Sequence, residues 1–126
     1  MFITIDMDAT TPIYTQLVYQ IKEGVLNGSI PPGTALPSVR SLASDIGINL
    51  HTVNKAYKLL AEEGIVRQEK KGFSIADSLP MTMSDPSLDL LKIKIKEMVI
   101  DSRIYGLDLD SLIQDTNKSI QRGERS

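Results

Sequence analysis

The stretch from Ser41 to Gly64, SLASDIGINLHTVNKAYKLLAEEG, limits the fold of this 126-residue chain more than any other part of it. Its pattern predicts two short helices joined by a tight turn. A small residue at Ala43 lets the helices approach, Gly47 reverses the chain, and the branched apolar Val53 holds the second helix against the first. These three positions lie four and six residues apart, which is typical of a helix-turn-helix.

The ends of these two helices carry cap residues. Ser38 is predicted to cap the first helix and Gly47 to end it, while Asn49 caps the second and Gly64 ends that one. Both helices have an apolar stripe that faces inward. Arg40 and the first turn after Asn49 are therefore expected to point outward.

A further helix is predicted before this motif. Thr11 is expected to be its cap, with Pro12 at the first helical position, where a missing N–H is harmless, and Asn27-Gly28 is expected to end it. The alternating pattern of Phe2–Ile5 predicts a short edge strand ahead of that helix.

After Gly64 the pattern changes to a hairpin. Ile65–Gln68 and Phe73–Ala76 are predicted to be two short strands joined by a turn with basic residues at its tip. A helix-turn-helix followed by such a hairpin is a winged helix. The predicted fold class is therefore mostly α with a small β-wing, in which residues 1–77 form a winged helix-turn-helix domain.

Residues 78–84 are polar and contain proline, so they are predicted to be a linker to a two-helix segment over residues 85–126. The first of these helices, 86–105, has apolar residues on two nearly opposite faces and therefore needs two partners. This favours dimerisation over the alternative, that the helix covers its own wing domain. The residues predicted to form the dimer interface are Leu88, Leu91, Ile95, Met98, Leu109, Leu112 and Ile113. A second stripe, Ile93, Ile100 and Ile104, leaves open which side of the helix forms that interface.

Composition excludes several classes of function. The chain has no cysteine and a single histidine, His51, so the sequence predicts neither a disulfide framework nor a metal site. It contains no paired-carboxylate, nucleophile or phosphate-loop motif, so we expect neither an enzyme nor a cofactor. The beginning lacks the pattern of a signal peptide, and the apolar runs are too short to cross a bilayer. We therefore expect a cytoplasmic protein that does not bind membranes.

The charge of the chain is a weak guide to its partner. The net charge is −2, although residues 36–76 hold six basic and four acidic side chains, a local balance of +2. The outward residues are more informative. The positive end of the second helix suits phosphate, Asn49 and Asn54 could each contact adenine, and Leu50 could contact a thymine methyl group. The lysines at the hairpin tip and on the second helix suit the DNA backbone.

Residues 12–76 resemble the N-terminal DNA-binding domain of the GntR family of bacterial transcription regulators. The resemblance is carried by Pro-Gly, then Leu-Pro-Ser-x-Arg-x-Leu-Ala, then Thr-Val-x-Lys-Ala-Tyr. The short two-helix tail resembles that of the YtrA-type subfamily, in which the tail dimerises the protein. This resemblance implies a repressor of an operon that includes a membrane transporter.

The resemblance also assigns residue roles. It places Arg40 in the major groove and aligns Asn49, His51, Thr52 and Asn54 with contact positions at the start of the recognition helix, and Gly72 with a wing glycine. Leu50 stands where some relatives carry an arginine that binds guanine, so their base preference does not transfer. The full set of predicted DNA contacts is Ser38, Arg40, Asn49, Leu50, His51, Thr52, Asn54, Lys55, Lys58, Lys70, Lys71 and Gly72.

Two function classes follow. The first is a homodimeric repressor bound to a palindromic operator, because a two-fold dimer would place two recognition helices about 34 Å apart. The second is a protein-interaction module that uses the winged helix as a docking surface. A docking surface should expose apolar anchors, and Leu50 is the only one expected here. The sequence leaves open the operator, and whether a small-molecule effector binds at the dimer interface or beside the tail helices.

Overall fold

The computed structural model describes residues 3–124, with side-chain surroundings up to residue 120. The chain divides into two compact units, with the boundary between Pro80 and Met81. The first unit contains α1 (Ile13–Leu26), α2 (Val39–Ile46), α3 (Leu50–Glu62), β1 (Val66–Glu69) and β2 (Gly72–Ile75), and the second contains α4 (Asp85–Ile104) and α5 (Leu109–Glu124). This is a winged helix-turn-helix followed by two helices, as predicted.

The core of the first unit is almost entirely aliphatic, with one buried tyrosine at its centre. All three helices and both strands contribute to it. Its largest fully buried side chains are Tyr57, Leu17, Ile21, Leu60, Ile75 and Val53. The apolar stripes of α1, α2 and α3 thus meet in one place, which fixes the direction in which α3 presents its polar face.

The predicted caps of the helix-turn-helix are confirmed. Ser38 Oγ accepts a hydrogen bond from Ser41 N at 3.1 Å, and Asn49 Oδ1 accepts one from His51 N at 2.7 Å. Gly47 follows α2 with φ 69°, a left-handed conformation that glycine adopts without strain. The turn between α2 and α3 therefore forms for the reasons that the sequence indicated.

The predicted start of α1 was wrong by one residue. Pro12, not Thr11, is the N-cap, and no side chain caps the helix there. The predicted strand Phe2–Ile5 was also wrong over its described part, since residues 3–6 form no strand, and Phe2 lies outside the described residues. Instead, the amide of Gln20 binds both Thr4 N and Thr4 O. Side-chain amides on α1 thus supply the partners that a neighbouring strand would have given.

Each strand of the hairpin lies one residue nearer the tip than predicted. Val66 pairs with Ile75 and Glu69 pairs with Gly72, so Lys70 and Lys71 alone form the turn. The segment that leads into α2 runs along β2, with a bridge between Ala35 and Ser74. Ile75 N donates to Thr34 O at 2.8 Å. Backbone hydrogen bonds therefore fix the base of the wing to the residues that lead into α2.

In the second unit, α4 starts one residue earlier than predicted, with Ser84 as its cap: Ser84 Oγ accepts from Ser87 N at 3.3 Å. The large residues of both apolar stripes of α4 are exposed within the single chain, as are Leu112 and Ile113 of α5. Near the turn between the helices, Leu107 N donates to Ser102 O at 2.8 Å, and Ser102 is buried. The α4–α5 pair by itself therefore covers little of its apolar surface.

Replacing Gly24 with alanine is expected to destabilise the first unit, although alanine is the better helix former. A Cβ at Gly24 would lie 2.5 Å from Ile30 Cδ1 and 2.7 Å from Ile30 Cγ1, and Ile30 is itself buried. Overpacking costs ~1–3 kcal/mol, whereas alanine gains only ~1 kcal/mol over glycine in a helix. We expect urea denaturation to show a net loss of about 1 kcal/mol in the free energy of unfolding.

The matched control shortens the side chain that Gly24 meets. Ile30→Val removes Cδ1, so adding Gly24→Ala to Ile30→Val should cost less than it costs in the natural sequence. A Gly24→Ala variant more stable than the natural protein would contradict the close approach of α1 to Ile30.

Candidate nucleic-acid interface

The start of α2 and the start of α3 lie side by side. Arg40, the second residue of α2, and Leu50, the first of α3, line one open hollow of about 290 Å³ together with Ala43, Ser44 and Ile48. Arg40 is exposed, and the Leu50 side chain is 39% exposed. The structure therefore brings together two residues that the sequence nominated from different helices, and it gives them an apolar floor.

The remaining nominated residues of α3 lie along its outer side. His51, Lys55 and Lys58 are exposed, while Thr52 and Asn54 are partly buried. Asn49 also caps α3, because its Oδ1 accepts a hydrogen bond from His51 N. Its Nδ2 is then the atom best placed to donate to a base or phosphate, so an adenine contact through both amide atoms suits Asn54 better.

Lys55 lies against α1. Its Nζ lies 4.7 Å from the centre of the Tyr14 ring, a cation–π contact that directs the ammonium toward the first turn of α1. Because of this contact, Lys55 lies at the edge of the α3 surface, where a contact with the DNA backbone is more natural than one with a base. Burial raises the pKa of the Tyr14 phenol, and the charges of Glu63 and Glu62 add to that rise, while Lys22 opposes it.

The wing presents its basic residues at the tip. Lys70 and Lys71 are exposed in the turn, and Gly72 follows with φ 133°, which L residues rarely adopt. Arg67 on β1, which the sequence analysis did not nominate, forms an ion pair with Asp77 at 2.8 Å. The wing therefore has two cations at its tip and a third that is paired closer to its base.

Tyr57 is the positioning residue that the sequence analysis missed. It is fully buried on the inward side of α3, and its phenol donates to Pro37 O at 2.9 Å. Its ring meets Phe73 of β2 edge-on, with centroids 5.1 Å apart. One side chain thus joins α3, the residues before Arg40 and the wing. A buried tyrosine needs a partner for its hydroxyl, and that was the available signal.

Other site chemistries find little basis in the part of the chain that the structure describes. Between residues 3 and 124, no cluster of three or more histidine, cysteine, aspartate or glutamate residues could hold a metal ion. Over the same range, no helix is both long and apolar enough to span a bilayer.

Comparison with known proteins agrees with the geometry. Residues 13–75 match the family described as bacterial regulatory proteins, gntR family. Over 128 aligned residues, which cover 98% of each chain, the protein is 36% identical to the HTH-type transcriptional repressor YtrA of Bacillus subtilis (strain 168).

Solved structures give the same result. A transcriptional antiterminator from Listeria monocytogenes EGD-e has a TM-score of 0.82 and 33% identity, over 98% of this chain and 92% of that one. YtrA from Sulfolobus acidocaldarius, a GntR-family transcription factor, has a TM-score of 0.64 and 35% identity, over 79% of this chain and 99% of that one. These relatives are transcription regulators rather than enzymes. The chain therefore belongs to the GntR family of DNA-binding bacterial regulators and resembles its YtrA-type members.

Proposed function

We propose that this protein is a homodimeric transcription repressor that binds a palindromic operator. The observation that carries the proposal is the capped start of α3 beside Arg40, with Leu50 in the shared hollow. Backbone N–H groups at a helix start attract phosphate, and an adjacent arginine can bind guanine with two hydrogen bonds. Polar residues along the same face then supply further base and phosphate contacts.

We assign the contacts by where each residue lies. Those nearest the start of α3 contact bases, namely Arg40, Asn49, Leu50, His51, Thr52 and Asn54. Ser38, Lys55 and Lys58 border that surface and contact the DNA backbone, as do Lys70, Lys71 and Gly72 at the wing. Base contacts specify the sequence, whereas backbone contacts set position and affinity.

The second unit supports the dimer part of the proposal. We infer that residues 78–84 link the DNA-binding domain, 1–77, to a dimerisation segment, 85–126, in which a second copy covers the exposed apolar residues of α4 and α5. A two-fold pair of recognition helices requires two half-sites about one turn of DNA apart, ~34 Å, in inverted orientation. The palindrome is therefore a consequence of dimer symmetry.

The regulatory role rests on the relatives. We propose repression because the Bacillus relative is described as a repressor. The YtrA-type resemblance further suggests control of an operon that includes a membrane transporter, in the bacterial cytoplasm. A small-molecule effector would act on the spacing of the two DNA-binding domains through the segment 78–84.

Selection of fragments from the source genome by the purified protein tests this proposal. We expect the enriched fragments to share an inverted repeat with half-site centres ~10 base pairs apart, or a multiple of that spacing, upstream of a transporter operon. Random DNA of equal length serves as the control. Enrichment of a single unrepeated site would contradict the palindrome, and no enrichment over random DNA would contradict sequence-specific binding.

A further inference from the structure

One face of the wing carries a charged cluster that the proposed DNA contacts do not use. Arg67 Nη1 donates to Asp77 Oδ2 at 2.8 Å, and Arg67 Nη2 lies 3.7 Å from Glu69 Oε1. Glu69 Oε1 in turn accepts a hydrogen bond from the hydroxyl of Ser74 at 2.8 Å. The register pairs Arg67 with Ser74, so these side chains share one face of the hairpin. Carboxylates therefore occupy both sides of the guanidinium.

Arg67 is close enough to the tip to matter for DNA binding. It precedes Lys70 by three residues along an extended strand, a separation of ~10 Å. The guanidinium is exposed enough to move, since the side chain is 47% exposed. Arginine binds phosphate through two parallel hydrogen bonds, so an unpaired Arg67 would be a stronger backbone contact than either tip lysine.

The cluster reverses the charge that Arg67 would bring. One arginine and two carboxylates, Glu69 and Asp77, sum to −1 and so offset one of the two lysines at the tip. We propose that Glu69 and Asp77 hold Arg67 away from the DNA phosphates and thereby weaken sequence-independent binding by the wing. The proposal rests on the DNA-binding function proposed above. Its consequence is that discrimination between sequences depends more on α3, because the phosphate contribution is the same for every sequence.

Asp77→Asn tests the proposal, because asparagine keeps the shape of the side chain and removes its charge. Exposed ion pairs are weak, so loss of one partner should release Arg67. We expect affinity for random duplex DNA to rise by about two- to fivefold at low salt, and log K to depend more steeply on log salt by up to ~0.9. Fluorescence anisotropy across a salt series measures both quantities.

The decisive control is the same substitution without the arginine. In an Arg67→Gln background, Asp77→Asn should give little further gain. An equal gain in both backgrounds would overturn the proposal, because loss of a carboxylate that repels phosphate would then explain the whole effect. No gain from Asp77→Asn in either background would overturn it as well.

Glu69→Gln provides a second variant should Asp77→Asn disturb the fold. Glutamine can still accept the Ser74 hydrogen bond, and we expect a smaller Arg67-dependent gain because the Glu69–Arg67 separation is longer. Thermal unfolding checks that each variant is folded. The natural protein is tested in parallel on selected and random DNA. If the natural protein binds selected DNA no better than random DNA, the proposed function is contradicted. The Arg67-dependent gain is measured on random DNA alone, so it tests the role of Glu69 and Asp77 separately.

Discussion

Replacing Tyr57 with alanine is expected to lower the free energy of unfolding of the DNA-binding unit by about 3–5 kcal/mol. The side chain is fully buried, its ring packs edge-on against Phe73, and its hydroxyl donates to Pro37 O. The cavity would therefore open where α3, the wing and the approach to α2 meet. For a unit of this size the loss corresponds to a fall in Tm of about 12 °C or more, measurable by thermal unfolding.

Tyr57→Phe separates the hydroxyl from the ring. Phenylalanine keeps the contact with Phe73 but leaves Pro37 O without its donor, so we expect a smaller loss of ~1–3 kcal/mol. Because the hydroxyl ties α3 to the residues just before Arg40, operator affinity should also fall in the folded Tyr57→Phe protein. Equal stability of Tyr57→Ala and Tyr57→Phe would contradict the packing role of the ring.

The same hydroxyl gives the free energy of unfolding of the natural protein a pH dependence that Tyr57→Phe should lack. Burial raises the pKa of the Tyr57 phenol above its ordinary value of 10.0, so the folded protein holds this proton more tightly than the unfolded chain. The stabilisation is therefore fully present below about pH 10 and is lost above it, by up to ~1.4 kcal/mol per pH unit. The stability difference between natural protein and Tyr57→Phe should shrink above about pH 10. A constant difference would contradict burial of the phenol.

Local signals predicted the helix-turn-helix well because each of its features acts over a few residues. A cap such as Ser38 or Asn49 binds an N–H two or three positions ahead, and Gly47 needs only its own φ. The inward stripes of the helices likewise follow from periodicity alone. The rest of the chain therefore has little influence on whether these features form.

Contacts between distant residues could not be predicted in the same way. Nothing near Thr4 indicates that Gln20, sixteen residues later, would bind its backbone and replace a strand pairing. The pairing of Arg67 with Asp77 likewise joins β1 to a residue ten positions later, beyond the end of β2, and no local pattern indicates it. The sequence therefore nominated wing lysines as contacts without showing that a neighbouring arginine is neutralised.

Replacing both Leu91 and Ile95 with aspartate is expected to convert the protein to monomers. These residues are 42% and 45% exposed in the single chain, on one face of α4, and a partner that covers them would have to bury two unpaired carboxylates. Loss of the second half-site contact should weaken binding to a full palindrome by ~10²–10⁴-fold, because the second contact would no longer be intramolecular. Sedimentation equilibrium and titration of full-site and half-site DNA measure the two effects.

The matched control introduces the same side chain at the same spacing on the polar side of the helix. Lys92→Asp with Lys96→Asp adds two aspartates to α4 where neither apolar stripe lies, and should leave the protein dimeric. Half-site affinity should be similar for the Leu91/Ile95 variant and the natural protein, since α3 and the wing are untouched. An unchanged dimer in the Leu91/Ile95 variant would contradict this interface.

The second apolar stripe, Ile93, Ile100 and Ile104, bears on how α4 would lie within the proposed dimer. Ile93 and Ile100 are 56% and 46% exposed in the single chain, on the side of α4 nearly opposite Leu91 and Ile95. A partner helix on one side of α4 cannot cover both stripes, because they are separated by about half a turn. We expect Ile93→Asp with Ile100→Asp to weaken the dimer as well, with α4 lying between two helices. If only the Leu91/Ile95 pair matters, the Ile93 stripe lies outside the dimer interface and α4 lies at the edge of the dimer.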